Sequence, residues 1–281
     1  MATVLRRLLR ALGRIFPDCV TLGQAIAFNM FLAFFPILLL GLALLGATSH
    51  FNDALREIPY RLSQILPPSS SQVVSEYFVR KTVHPWRWFA LGLGGTLLAG
   101  TQVMVGYMEA FRVIEGDVVQ LGYIRRQLRA LLLLCLTIVP MLIVTMLTVF
   151  GKQTRGWLLL HTRSAFLTHE LDIVGYVAFV FVLAMGVLVL IYRIGRPDCP
   201  GFRAVLPGAL VATILWWAAD GGFGIYVHRM PYDVVYRGLA SAIGLLIWMF
   251  FTAMIVLLGA AYNAEAREEA AAPGRITKLI A

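Results

Sequence analysis

The residue types that most often carry chemistry are thinly spread along this chain. Its five histidines, His50, His84, His161, His169 and His228, stand apart, with no HxH, HExxH or Cys/His spacing to hold a metal. Metal-dependent hydrolysis needs clustered His and carboxylate ligands to activate water, and no such cluster is present in the sequence. A GxSxG elbow, a P-loop and a DxD pair are likewise missing. Gly92, Gly94 and Gly95 form a GxGG string, but a dinucleotide loop needs a strand before it and a helix opening at it. Neither pattern surrounds these glycines, so close helix packing accounts for them better. Cys19, Cys135 and Cys199 have no ligand spacing, and no disulfide is expected. Glu265, Glu268 and Glu269 gather beside Arg267 and read as the solvated face of a helix end. The expectation is a protein that is not an enzyme, with no catalytic residue, no metal and no cofactor.

The polar groups of interest are instead single charges in apolar surroundings. Asp220 lies inside the run from Ala204 to Tyr226. At 1.5 Å rise per residue it sits about 24 Å from Ala204, toward the outer leaflet. An ionised Asp facing lipid costs about 2.5 kcal/mol or more at a helix centre and less near the interface. It is therefore expected to face the bundle interior or a hydrated cavity, as a polar gate for an amphipathic substrate such as a lipid headgroup. Gly221, Gly222 and Gly224 follow it and loosen the helix. Candidate partners are Arg229 and His228 just beyond, or Asn29 and Gln102 from earlier apolar runs. The plainer alternative is a carboxylate that caps the outer end of the helix. Glu109 and Arg112, one helical turn apart, are expected to pair with each other.

The elements that position these residues are long apolar helices. The chain is 59% hydrophobic and only 14% charged, against about a quarter charged in a soluble domain. That excess argues for one polytopic, all-α bundle rather than two soluble domains in 281 residues. About 20 apolar residues cross a bilayer core as a helix. Six runs meet that length, at about residues 24–47, 89–108, 130–150, 173–192, 204–226 and 239–262. Pro36 near the middle of the first predicts a kink. Pro207 falls near the start of the fifth, where helices tolerate proline. The segment at about 51–87 is too polar to span and reads as short amphipathic helices on the outer surface. Residues 1–18 form a basic amphipathic helix, with Arg6, Arg7, Arg10 and Arg14 on one side and Leu5, Leu8, Leu9, Leu12, Ile15 and Phe16 on the other. Its expected place is the headgroup plane, its arginines on anionic lipid. The whole six-span domain then covers 19–266, and 267–281 is a cytoplasmic tail.

A net charge of +9 suggests nucleic acid at first sight. In a chain this apolar, Lys and Arg placed in cytoplasmic loops are the better account, and no nucleic-acid partner is expected. Fourteen Lys/Arg fall on the side carrying both termini against ten on the other, which includes the long first loop. Long segments count less, so both termini are expected to be cytoplasmic.

Several short motifs also resemble a known family. Tyr236, Gly238-Leu239-Ala240-Ser241, Trp248 and Gly259-Ala260 followed by Asn263 are similar to the last helix of the YihY/BrkB family. Pro207-Gly208-Ala209-Leu210, Trp216 and the Ala33-Phe34-Phe35-Pro36 turn extend the resemblance from about Gln24 to Glu265. Two positions depart from it: Ala261 stands where the family often has Glu, and Arg112 lies near a place where it often has Asn. The resemblance implies a bacterial inner-membrane protein, of a family long mislabelled as ribonuclease BN, with a role in envelope integrity and export of a lipid or lipid-linked substrate. Membrane lipids are the expected partners. Two functions compete: transport or handling of a lipid or amphipathic substrate, and a non-transporting scaffold for envelope assembly.

Overall fold

In hydrocarbon, backbone N–H and C=O groups find no water, so an isolated spanning segment pairs them internally as a helix. The computed structural model describes residues 2–16, 18–46, 85–116, 121–140, 165–229 and 237–280, and these form helices, with no strand among them. The helices are α1 (Ala2–Ile15), α2 (Asp18–Gly46), α3 (Pro85–Glu115), α4 (residues 123–140), α5 (Ala165–Ile194), α6 (Phe202–Arg229) and α7 (Arg237–Ile280). Five contain stretches long and apolar enough to cross a membrane: Cys19–Gly41, Trp86–Glu115, Val177–Ile194, Phe202–Gly224 and Ala242–Ala270. The expected third span, 130–150, is described only to residue 140, where α4 is continuous. The outer-surface helices expected at 51–87 lie outside the described residues, save for 85–87, which open α3. α7 continues through Ile280, so the segment read from sequence as a tail prolongs the last helix.

α7 lies at the centre. It packs on α1, α2, α3 and α6, while α5 packs on α6. Glycines set how closely these helices approach. On α3, a methyl at Gly95 would lie 2.9 Å from the Pro36 ring, one at Gly92 2.8 Å from the Leu40 nitrogen, and one at Gly106 2.8 Å from Ile26. The partners run down α2 as the glycines run up α3, so the two helices are antiparallel. The GxGG string thus brings α3 against α2, and its first and third glycines meet the turn around Pro36. Gly100 makes room for Leu134 of α4 in the same way. Small residues let backbones approach where lipid supplies no hydrophobic drive between helices.

The lateral faces stay apolar and open. Leu98, Leu132, Ile214 and Phe251 are exposed, Leu98 by 75%, whereas Ile26, Phe111, Leu133, Tyr192 and Leu257 are fully enclosed. Exposed apolar rows around an enclosed core suit a protein whose solvent is lipid.

Candidate functional site

The end of the bundle where α3 and α5 finish and α4 and α6 begin is held shut by polar contacts. Asn263 of α7 is 2% exposed and meets α6 on both sides of Pro207. Its Oδ1 accepts from the Gly208 N–H at 2.7 Å, and its Nδ2 donates to the Val205 carbonyl at 3.0 Å. Proline has no N–H and its ring crowds the carbonyl four residues back, so a neighbouring helix commonly satisfies the disturbed backbone in a membrane. Beside this clasp, Gly208 and Gly259 face each other with no room for a side chain on either. Tyr192 of α5 donates to the Val256 carbonyl at 2.8 Å and sets its ring edge-on to Phe111, 5.6 Å between centroids.

Below the clasp lies a ring of charges. Arg196, just after α5, reaches Glu115 at 2.9 Å and Asp198 at 2.7 Å, and Arg267 of α7 also donates to Glu115. Arg129 of α4 donates to the Arg196 carbonyl at 3.1 Å. The turn that carries Arg196 bends through Cys199 at φ +44°, a left-handed backbone that non-glycine residues rarely adopt. Glu109 and Arg112 pair as expected, and Arg126 adds a second guanidinium 3.7 Å from Glu109.

The amphipathic N-terminal helix is present, but its arginines are engaged differently from the expectation. Arg14 donates to Glu265 at 3.1 Å, to Glu268 at 2.7 Å and to the Ile114 carbonyl at 2.7 Å. Arg7 and Arg10 share Glu269 at 2.6 and 3.0 Å. The three glutamates read as a solvated face are therefore the counter-charges of α1, because α7 runs on unbroken for about two turns past Tyr262 and carries them to it. Hydrogen bonds to Glu268 and Glu269 raise the Arg14 and Arg7 guanidinium pKa values, respectively, above their ordinary range. Leu9 and Phe16 stay exposed on the outer side of α1, free to meet lipid.

The opposite end differs. Between α6 and α7 opens a cavity of about 450 Å³, lined by Trp216, Ala219, Asp220, Gly222, Phe223, Ile247, Trp248, Phe251 and Thr252. Asp220 is exposed at it, and α6 runs on nine residues to Arg229 without a break. Asp220 thus lies within α6 and not at its last residue. The glycines after it do not interrupt the helix. Asn29 and Gln102 lie on α2 and α3 and line no part of this cavity. Arg229 ends α6. Of the candidates named from sequence, then, the fold joins Glu109 to Arg112 and leaves Asp220 among aromatic residues. Trp248, Phe251 and Thr252 were missed as site residues; a four-residue recurrence on α7 was the available signal, and only the pairing with α6 gives it a meaning.

No group of three or more His, Cys, Asp or Glu gathers to hold a metal among the described residues. Cys19, Cys135 and Cys199 form no disulfide.

Apolar lateral faces, several membrane-length helices and a glycine-packed interior define a polytopic α-helical membrane protein. The chain belongs to the BrkB family: the family model described as Virulence factor BrkB matches residues 16–278. Among its relatives are UPF0761 membrane proteins. That of Alkalilimnicola ehrlichii is 26% identical over 279 residues, covering 92% of this chain and 58% of the relative. Those of Nitrosospira multiformis and Pseudoalteromonas translucida are 25% and 23% identical, over 88% and 90% of this chain and 57% and 83% of their own lengths. The chain thus spans less than two thirds of the first two. No solved structure matches it.

Proposed function

We propose that this protein takes up and moves a lipid or other amphipathic molecule in the bacterial inner membrane, with both termini in the cytoplasm and no catalytic step of its own. The cavity between α6 and α7 carries the reading: about 450 Å³, aromatic-walled, with Asp220 exposed at it. Pockets of this size and lining bury small ligands and orient them by a few polar groups. A charged side chain kept inside a membrane span is a functional group by default, because its placement is costly. The basic surface at the other end, with Arg125, Arg193 and Arg203 exposed, agrees with the placement of that end in the cytoplasm.

Purified protein in liposomes tests the proposal through the redistribution of a fluorescent phospholipid between leaflets. Faster exchange than in protein-free liposomes, slowed by Trp248→Ala, is the expected result. Exchange no faster than the control, from protein shown to be folded and inserted, would leave the envelope scaffold as the better reading. The topology has its own check. A cysteine placed at Ser70 should label from outside and one at Thr277 should not, and the reverse pattern would overturn it.

A further inference from the structure

We infer that the α6–α7 cavity selects the ammonium headgroup of a zwitterionic phospholipid of the ethanolamine type; this deepens the lipid-handling reading above and rests on it. The charge of the lining carries the argument. Among the described residues it contains one carboxylate, Asp220, one hydroxyl, Thr252, and no Lys, Arg or His. A phosphate or glycerol-phosphate headgroup entering it would meet an anion and no cation among these described residues. An ammonium group would meet the carboxylate, which accepts N–H hydrogen bonds and attracts the charge.

The walls point to the same ligand. Trp216, Phe223, Trp248 and Phe251 line the same cavity as the carboxylate, and aromatic faces attract ammonium ions through the ring quadrupole. Aromatic residues without a carboxylate would fit an acyl chain equally well; the combination fits a cation on an apolar stem. Depth agrees too. Asp220 lies four residues before Gly224, the end of the apolar stretch of α6, or about 6 Å along the axis. That is the level at which a phospholipid changes from acyl chain to headgroup. The amine turns inward to Asp220, the phosphate faces the aqueous rim, and the chains lie along the exposed side of Ile247 and Phe251. Anionic lipids have their own counter-charges at the opposite end, where Arg125, Arg193 and Arg203 are exposed.

Tryptophan quenching by lipids with brominated acyl chains reads this site. The chain has six tryptophans, and replacing Trp86, Trp88, Trp157 and Trp217 by Phe leaves only the cavity pair, Trp216 and Trp248. In mixed bilayers, brominated phosphatidylethanolamine should reach half-maximal quenching at about a three- to fivefold lower mole fraction than brominated phosphatidylglycerol with the same chains. Asp220→Asn should erase that preference while leaving the melting temperature unchanged. If the four-Phe variant does not fold, the unmodified chain should give the same ranking at smaller amplitude. Equal quenching by the two lipids, a preference for phosphatidylglycerol, or a preference that survives Asp220→Asn in folded protein overturns the headgroup assignment but leaves lipid binding standing. No quenching by either lipid, in protein that is folded and inserted, overturns the lipid reading itself.

Discussion

The two ends of the α6–α7 pair are built on opposite principles. Around Gly208 and Gly259 the helices touch backbone to backbone, and Asn263 ties them with two hydrogen bonds. Around Phe223 and Gly244, where even a methyl added to the glycine would lie 3.9 Å from the Phe223 ring, they part and leave the cavity. Both ends lie on the same antiparallel register, so the difference comes from side-chain size and not from a change of helix direction. Glycine and asparagine close one end, and bulky aromatics prop the other open. The comparison teaches where stability and binding are invested: substitutions at the closed end should unfold the bundle, and substitutions at the open end should change only what it holds.

The largest effect is expected from Gly208→Leu. The new side chain would meet the Gly259 carbonyl and Asn263 with nowhere to go, and overpacking of this kind costs about 3 kcal/mol. Loss of folded protein in detergent, read by size-exclusion and melting, is the outcome; a stable Gly208→Leu protein would break the comparison at its firmest point. Asn263→Leu comes next. It keeps the branched shape but deprives the Gly208 N–H and the Val205 carbonyl of their partner, at roughly 1–2 kcal/mol, and should lower the melting temperature without abolishing folding.

A smaller shift is expected from Glu269→Lys, which turns the partner of Arg7 and Arg10 into a like charge. Arg7→Glu in the same chain should restore part of the loss, and high salt should shrink both effects. The sign of the pH dependence follows from the raised guanidinium pKa values of Arg7 and Arg14. A raised pKa gives a contribution that is complete below the ordinary arginine range and lost only as pH climbs through the still higher folded value. From pH 6 to 9, therefore, the arginine side of these pairs should not weaken, and melting curves over that window should show no alkaline loss that Arg14→Ala removes. The least effect on stability belongs to Asp220→Asn, whose melting should match wild type. If it melted as early as Asn263→Leu, the open end would be structural after all.

Much of this architecture was legible in the sequence, for a plain reason. Runs of some 20 apolar residues fold as helices in lipid whatever surrounds them, so the spans could be found without knowing their neighbours. The role of Gly92 and Gly95 could be read as well, because small residues at short spacing have few other uses in such a run. Asp220 stood out because an acid in an apolar stretch is costly wherever the helix turns. What the sequence hid were pairings across long separations. Arg14 and Glu265 are 251 residues apart, and an arginine on an amphipathic helix beside a membrane suits lipid phosphate as well as it suits a carboxylate. Only the length of α7 beyond the span decides between them. The wall that Trp248 and Phe251 give to Asp220 was hidden for the same reason, since their facing depends on the register that Gly208 and Gly259 impose.

The clasp at Asn263 also bears on how the protein is made. The fifty-five positions between Gly208 and Asn263 are a delay in synthesis: α6 is translated well before the side chain that completes it. During that interval its first turns hold a proline and two backbone groups still waiting for their partner, a poor state in which to leave a translocation channel for open lipid. A hairpin of α6 and α7 released together avoids that exposure. The last two spans would then be inserted as one unit, and a chain truncated before Asn263 would stall as a substrate for membrane proteolysis rather than persist as a shorter bundle.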